Sequence, residues 1–325
     1  MTFNSKIKVF YRDDMCPPED ASSNYSKSPT KPRRFMEFLQ RTPLQHHVEV
    51  SGEFEPLTRG DLLVAHTAAY VDAFLKGEGR GARSNGLAWT PEFRDSVLLT
   101  NGCLRAAITA AVDDPRQITL APVSGFHHAQ PDSGGGFCTF SGQVIAGLQL
   151  YRERGLRGVW VDLDGHFGNS IEDSRSFAPD LNEAIPVWAN INPRGSHQEY
   201  LLDLRHQIGV ALEHIVAGEV DYVAFAHGAD SHEWDQLGHQ CTTSEWLEAA
   251  KMVYADLVVR PNVRGWSPKP VAVTMALFGG YRDDHPESVL GLHALDLKTC
   301  LQVALECRDP DVEAYCPEIR APGSW

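Results

Sequence analysis

The sequence predicts an α/β fold in which helices cover both faces of a mainly parallel sheet. Short runs of continuously apolar residues alternate along the chain with stretches whose apolar residues have helical spacing. Strands that are apolar on both faces are typical of parallel sheets covered on both sides by helices. The connections between these stretches are short to moderate, so we expect one domain over residues 1–325, although a chain of 325 residues is also long enough for two.

The individual elements follow from local composition. Runs rich in β-branched, aromatic or other apolar residues are predicted as strands: 6–11, 117–123, 158–164, 184–191, 221–228 and 270–278. Stretches with helical spacing, such as DLRHQIGVALEHIV, are predicted as helices: 91–113, a stretch that ends at Tyr151, 197–217, 244–259 and 290–306. The segment 19–32 is rich in Ser, Pro and Lys and is predicted as a surface loop.

Composition argues against several classes of protein. The formal charge of −14 disfavours nucleic-acid binding through bulk charge. No apolar stretch approaches the roughly 20 residues of a membrane helix, and MTFNSKIKVFYRDD lacks the apolar region of a secretory signal. The seven Cys are scattered without CxxC pairs, which favours reduced thiols and a cytoplasmic location over a disulfide framework.

Residues able to do chemistry follow four of the predicted strands. In open α/β sheets, ligands bind beyond the carboxyl ends of the strands, so these segments are expected to meet at one edge of the sheet. The segments are 124–128, 162–166, 229–233 and 279–281. The sequence therefore predicts a site built from His, Asp and Tyr side chains.

The segment DLDGH (162–166) is the most informative of the four. In extended backbone Asp162, Asp164 and His166 face the same way, and neighbouring carboxylates repel unless a cation or a proton lies between them. Asp164 and His166 are ligands of the kind that zinc takes, and Asp230 supplies a third. Three protein ligands with one open position are typical of a catalytic zinc. A single Asp or His at a strand end is more often a cap, so the prediction depends on all four segments together.

Together these segments resemble the histone deacetylase superfamily, which includes bacterial deacetylase-like amidohydrolases and acetylpolyamine amidohydrolases. The resemblance spans nearly the whole chain and rests on AHTAAYV (65–71), GFHHAQPDSGGGFCTFSG (125–142), DLDGHFGNSIED (162–173), GADSHEWDQLG (228–238) and FGGY (278–281). It implies a three-layer α/β/α fold of the arginase–deacetylase type with a mainly parallel eight-stranded sheet.

The resemblance also implies a role for each matching residue. His128 would act as general base and acid with Asn169 holding its imidazole, and Tyr281 would donate to the substrate carbonyl. The full set comprises zinc ligands Asp164, His166 and Asp230; catalytic residues His127, His128, Tyr281, Asp162 and Asn169; and substrate-binding residues Gly136, Phe137, Gly279 and Gly280. In many relatives a potassium ion also lies near the residue that corresponds to Asp162.

Three positions depart from the pattern of the superfamily. Phe167 stands where relatives often have a second His. The sequence 192–195 (NPRG) replaces a loop that supplies an aromatic tunnel wall, although Trp188 or Trp234 is a candidate to fill that space. Ala189-Asn190-Ile191 replaces a Ser-Leu-His that helps to bind potassium.

These observations predict a zinc-dependent amidohydrolase that removes an acetyl or acyl group from an N-acylated amine by metal-activated water. A small amine or amino acid derivative is favoured over histone tails, because one tunnel wall lacks its aromatic residue and Arg194 suits a carboxylate. A lysine deacetylase acting on protein, a two-manganese ureohydrolase and a non-catalytic acyl-binding relative remain as alternatives. No nucleic-acid or membrane partner is expected, and a homo-oligomer is left open.

Overall fold

One parallel sheet forms the centre of the protein, which we describe from a computed structural model over residues 1–18 and 26–323. The strand order is β2-β1-β3-β7-β6-β4-β5, and every neighbouring pair is parallel. The strands are β1 (Ile7–Phe10), β2 (Val48–Ser51), β3 (Thr119–Ala121), β4 (Gly158–Asp162), β5 (Asn190–Ile191), β6 (Tyr222–Ala226) and β7 (Ala272–Ala276). The predicted α/β class is thus confirmed, but the sheet of the described residues has seven strands rather than eight.

Helices pack on the sheet and connect its strands. They are α1 (Lys31–Leu39), α2 (Arg59–Leu62), α3 (Ala68–Lys76), α4 (Pro91–Asp113), α5 (Gly142–Arg154), α6 (Ser170–Ser174), α7 (Leu181–Ala184), α8 (His197–Val216), α9 (Thr243–Val253), α10 (Arg260–Asn262), α11 (Pro286–Val303) and α12 (Pro310–Ala314). A π-helical segment, Tyr254–Val259, joins α9 to α10. No helix in this described part of the chain is long and apolar enough to cross a membrane.

Five of the six predicted strands form within their predicted bounds. The sixth is much shorter than predicted and one further strand was not predicted, and both differences have physical reasons. The run 184–191 contributes only Asn190–Ile191, because a 3₁₀ turn, Val187–Ala189, follows Pro186. The edge strand Val48–Ser51 was not predicted, since its side chains are half-buried or exposed and form no apolar run.

The predicted surface loop at 19–32 is wrong at its C-terminal end. Residues 19–25 lie outside the described residues. A 3₁₀ turn, Ser28–Thr30, then leads into α1, whose first residue Lys31 is buried. Helix α1 packs against α11, and this packing turns a segment of polar composition into part of the interior.

The strand order determines where a site can form. Strands β3 and β4 are consecutive along the chain, yet β7 and β6 lie between them in the sheet. The loops after β3, β7, β6 and β4 therefore lie side by side at the carboxyl edge. A reversal of strand order of this kind opens the crevice in which α/β proteins bind ligands. Helix α5, buried over 142–150, follows the loop after β3 and packs against α4 and α7.

Candidate metal and catalytic site

The three predicted metal ligands come together at the carboxyl edge of the sheet. One ligand atom from each of Asp164, His166 and Asp230 lies within 4.8 Å of the other two. His166 Nδ1 is 3.2 Å from Asp164 Oδ1 and 3.0 Å from Asp230 Oδ2. Both carboxylates are buried, whereas the His166 side chain is 35% exposed. The opening to solvent is therefore on the imidazole side of the cluster.

Backbone amides hold the carboxylate oxygens that face away from this cluster. Strand β4 ends at Asp162, and the turn that follows brings the Gly165 N–H to Asp230 Oδ1 at 3.0 Å. The Gly279 N–H donates to Asp164 Oδ2 at 2.8 Å. A Cβ atom on Gly279 would lie 2.3 Å from Asp230 Oδ2, so a glycine is required there. The local backbone thus orients both carboxylates before any ion binds.

Electrostatics at the cluster are those of a cation site. Burial raises the pKa of Asp230 and the charge of Asp164 raises it further. Hydrogen bonds that the His166 ring donates to Asp164 and Asp230 raise the pKa of His166 to about 10. Two buried carboxylates side by side need a compensating positive charge, which a proton or a metal ion can supply.

The two adjacent histidines have different environments. His127 is buried, with Nδ1 2.9 Å from Asp162 Oδ2 and Nε2 3.7 Å from Asp164 Oδ1. Burial alone would lower the pKa of His127, but Asp164 and Asp162 outweigh it and raise the pKa to about 9. Burial and the charge of His127 instead lower the pKa of His128. His127 therefore favours the charged form and His128 the neutral form.

The hydrogen bonds of Asn169 fix the tautomer of His128. The Asn169 amide nitrogen donates to Asp173 Oδ2 at 2.6 Å, so its Oδ1 atom must face His128 Nδ1, 2.8 Å away. An amide oxygen only accepts, and His128 Nδ1 therefore carries the ring proton. The lone pair of the neutral ring is left on Nε2, where a base needs it.

Tyr281 and Phe137 form a wall beside the cluster. Their ring centroids are 5.7 Å apart, and the Tyr281 ring is 6.3 Å from that of His166. Burial, followed by the charges of Asp164 and Asp230, raises the pKa of Tyr281 well above its usual range. The Tyr281 hydroxyl therefore stays protonated and can donate a hydrogen bond. A small cavity beside this wall is also lined by His127 and Asp164.

The other two predicted substrate-binding glycines are constrained as well. Gly136 has a φ of +48°, and a Cβ atom there would lie 2.5 Å from His128 Cδ2. Gly280 has a φ of +140°, and its Cβ would lie 2.5 Å from Val289. Both positions need a residue without a side chain, because the left-handed backbone and the close neighbours exclude a Cβ atom.

The segment 65–71 supports the loop that carries the histidine pair. His66 is buried; its Nδ1 is 2.9 Å from the Gln130 carbonyl oxygen, and the Ser141 N–H donates to its Nε2 at 2.9 Å. The Tyr70 hydroxyl donates to the Thr139 carbonyl at 2.7 Å. Burial lowers the pKa of His66 to about 4, so this ring is neutral and bridges both ends of the loop.

Comparison with known proteins agrees with this geometry. The family model described as "Histone deacetylase domain" matches residues 25–182. Histone deacetylase 14, chloroplastic, of Arabidopsis thaliana is 28% identical over 236 residues, which are 61% of this chain and 56% of that protein. Histone deacetylase 8 of Xenopus laevis is 28% identical over 127 residues, 36% of this chain and 39% of the relative. Over these residues the chain is similar to the histone deacetylase superfamily.

A solved structure shares the fold of this chain. The structure described as "Crystal Structure of HDA15 HD domain" has a TM-score of 0.68 and covers 95% of this chain and 92% of that chain. Its sequence identity is 15%, so this likeness concerns the fold alone.

Two of the departures from the superfamily pattern lie in contact with each other. The Arg194 guanidinium carbon is 5.0 Å from the centre of the Phe167 ring, directly after His166 in the chain. The two candidate substitutes for the missing tunnel aromatic contact other rings: Trp188 stacks on His214 at 3.7 Å, and Trp234 contacts His232 at 5.3 Å. The Arg194 cation is thus held on the exposed ring of Phe167, the residue that follows the metal ligand His166 in the chain.

Three residues at the site were missed by sequence reasoning. Asp173 orients Asn169, and Asp235 accepts the Tyr281 N–H at 2.6 Å. Lys31 donates to the Phe278 carbonyl and lies 5.9 Å from the Tyr281 ring. Burial lowers the pKa of Lys31 to about 8. Asp235 lies within a quoted motif and could have been found there, but Lys31 lies in a segment whose composition indicated a surface loop.

Proposed function

We propose that this protein is a zinc-dependent amidohydrolase that removes an acetyl or other acyl group from an N-acylated amine. The observation that carries the proposal is the grouping of a neutral His128 and a protonated Tyr281 around the cluster of Asp164, His166 and Asp230. A base, an oxyanion donor and a cation site are what amide hydrolysis by water requires.

The donor set fits a zinc ion, because two carboxylates and one imidazole leave a fourth position for substrate or water. When bound, zinc would supply Lewis acidity to the amide carbonyl and to the attacking water. His128 Nε2 takes the proton of that water and later returns it to the leaving amine. Tyr281 donates its hydroxyl proton in a hydrogen bond to the carbonyl oxygen as negative charge develops there. His127, held by Asp162, contributes positive charge without transferring a proton.

Other readings of the site have less support. A two-manganese ureohydrolase needs further carboxylate ligands, whereas Asp162 is engaged by His127. A non-catalytic relative would have no need of the His128–Asn169–Asp173 arrangement. The potassium ion near Asp162, the cytoplasmic location and the single-domain organisation remain predictions.

For the substrate we propose a small N-acetylated amine or amino acid derivative rather than a histone tail. Arg194 on Phe167 favours a substrate that carries a carboxylate, whereas the overall charge of −14 attracts cationic amines.

The test is a turnover screen of the zinc-loaded protein that measures the acid and amine released. Its substrates are acetyl-lysine peptides, acetylpolyamines, and small N-acetyl amines with and without a carboxylate. The Asp164→Ala variant provides the inactive control. Hydrolysis of at least one class, inhibited by a hydroxamate, supports the enzyme. A kcat/KM for peptides at least about tenfold above that of every small amide would overturn the substrate class, and no turnover of any amide would overturn the function.

The role of Arg194 is tested in the same screen with Arg194→Gln and a matched control, Arg205→Gln. Arg205 is also exposed, with its guanidinium 3.7 Å from Glu248. Only the first variant should lose the preference for carboxylated over neutral amides. An unchanged preference in Arg194→Gln would remove this residue from the substrate proposal.

A further inference from the structure

A thiol, an imidazole and a carboxylate lie next to one another at the edge of the sheet opposite the metal cluster. Cys307 Sγ is 3.8 Å from His47 Nδ1, and His47 Nε2 is 2.9 Å from Asp309 Oδ2. His47 directly precedes β2, at the amino end of that strand. Helix α11 begins beside the Tyr281 loop and runs 18 residues, about 27 Å, before the chain reaches Cys307. The array is therefore separate from the proposed hydrolase site.

Backbone structure holds each member of this array. Glu306, three residues after the end of α11, has a φ of +52°, and the Cys307 N–H donates to the Leu301 carbonyl at 2.9 Å. Asp309 caps α12, because its Oδ1 atom accepts the Asp311 N–H at 2.9 Å. The same carboxylate thus has one oxygen engaged by the helix and the other available to His47.

The carboxylate determines the tautomer of His47. Asp309 only accepts hydrogen bonds, and its hydrogen bond with His47 keeps the pKa of the carboxyl below its usual value, so His47 Nε2 carries the ring proton. His47 Nδ1 then presents a lone pair to the Cys307 thiol. A thiol with a neighbouring base that a third group orients is the arrangement of an activated nucleophile.

Access to solvent distinguishes Cys307 from most other cysteines. Five of the seven cysteines are buried, namely Cys16, Cys103, Cys138, Cys241 and Cys300. Cys307 is half-buried and Cys316 is exposed. His47 is itself 19% exposed in its side chain, so a small molecule can approach this thiol. Cys316 makes no hydrogen bond to a histidine within the described residues.

We propose that Cys307 is a reactive thiol that exchanges with small disulfides to form a mixed disulfide. The thiol gives its proton to His47 Nδ1 as its sulfur attacks one sulfur of the disulfide. The S–S bond of the reagent breaks, a new S–S bond forms on Cys307, and the second half leaves as a thiolate that takes up a proton. The small disulfide is the oxidant, so the exchange needs no other oxidant.

The experiment compares the two accessible thiols in the full-length protein. The Cys316→Ser variant leaves Cys307 as the accessible thiol, and Cys307→Ser leaves Cys316. Reaction with the chromogenic disulfide dithiobis-nitrobenzoate at neutral pH gives the rate, and mass spectrometry after treatment with glutathione disulfide identifies the modified residue. We expect Cys307 to react at least about tenfold faster than Cys316 despite its lower exposure. Equal or slower reaction of Cys307 would overturn the proposal.

Neighbouring histidines provide a matched control for the role of His47. In the Cys316→Ser background, His47→Gln should lower the rate at Cys307 at least about tenfold, whereas His46→Gln should leave it unchanged. Asp309→Asn retains an acceptor for the helix cap but removes the charge, and should lower the rate in the same direction. Thermal unfolding shows whether each variant is folded. If either His47→Gln or Asp309→Asn is not folded, the reaction rate of the other variant decides the test. A folded His47→Gln or Asp309→Asn variant that reacts as fast as its parent would refute the mechanism.

Discussion

Replacement of Asn169 by Asp tests the proposed division of work between the two adjacent histidines. Asn169 Oδ1 accepts from His128 Nδ1 at 2.8 Å, so a carboxylate would put a full negative charge beside the ring. That charge stabilises the imidazolium and raises the pKa of His128, which burial now lowers. Because the base must be neutral, the acid limb of the pH profile of kcat/KM should then move to higher pH.

The size of the shift follows from the separation and the surroundings. Unit charges about 4 Å apart attract by about 1 kcal/mol in water and about 4 kcal/mol at an effective dielectric constant of about 20. At about 1.36 kcal/mol for each pKa unit, these limits correspond to about 0.7 and 3 units. His128 is half-buried, so we expect a shift of about 1–2 units.

Asp173 requires a compensating change in this experiment. Its Oδ2 atom is 2.6 Å from the Asn169 amide nitrogen and would repel a new carboxylate. The double variant Asn169→Asp with Asp173→Asn restores a donor there, and Asp173→Asn alone is the control. The profile is measured between about pH 5 and pH 9 on protein whose zinc content has been determined. An unmoved acid limb in the fully zinc-loaded double variant would show that His128 is not the base.

Three further outcomes are expected. Chelation should abolish hydrolysis and Zn²⁺ restore it, and Asp164→Ala should lose metal and activity together; full metal occupancy of that variant by elemental analysis would contradict its role as a ligand. His128→Ala and Tyr281→Phe should each lower kcat at least about 10²-fold while keeping zinc, and His127→Ala should lower kcat less. If steady-state kinetics show a larger loss for His127→Ala than for His128→Ala, the roles of the two histidines are exchanged. The pKa of His66 is about 4 in the folded state and 6.5 in the unfolded chain, so the unfolded chain binds the proton first. As the pH falls from about 6.5 to about 4, the unfolding free energy should therefore decrease by up to about 3 kcal/mol. Urea titrations should show this loss in the wild type but not in His66→Gln, and parallel losses would refute it.

Sequence alone determined the fold class and most elements of the sheet. Buried parallel strands such as β4 and β6 are apolar on both faces, so they differ in composition from everything around them. The edge strand β2 carries no such signal, because half-buried and exposed positions place few demands on side chains. The short β5 shows the opposite error, since an apolar run was interrupted by Pro186 and a 3₁₀ turn.

The candidate metal ligands could also be proposed from the chain itself. Asp164, His166 and Asp230 each follow a strand closely, and parallel strands deliver such residues to one edge of a sheet. Local order along the chain was therefore enough to bring these three groups together. Their chemical roles remain predictions until metal content and turnover are measured.

Only the tertiary structure decided the protonation and the surroundings of these groups. His127 is paired with Asp162 and His128 with Asn169, which lie 35 and 41 residues away in sequence. Lys31 is buried because α1 packs on α11, and the contact between Phe167 and Arg194 joins two loops. The same holds for Cys307 and His47, which are 260 residues apart. Burial and long-range pairing set these properties, and neither leaves a pattern in the local sequence.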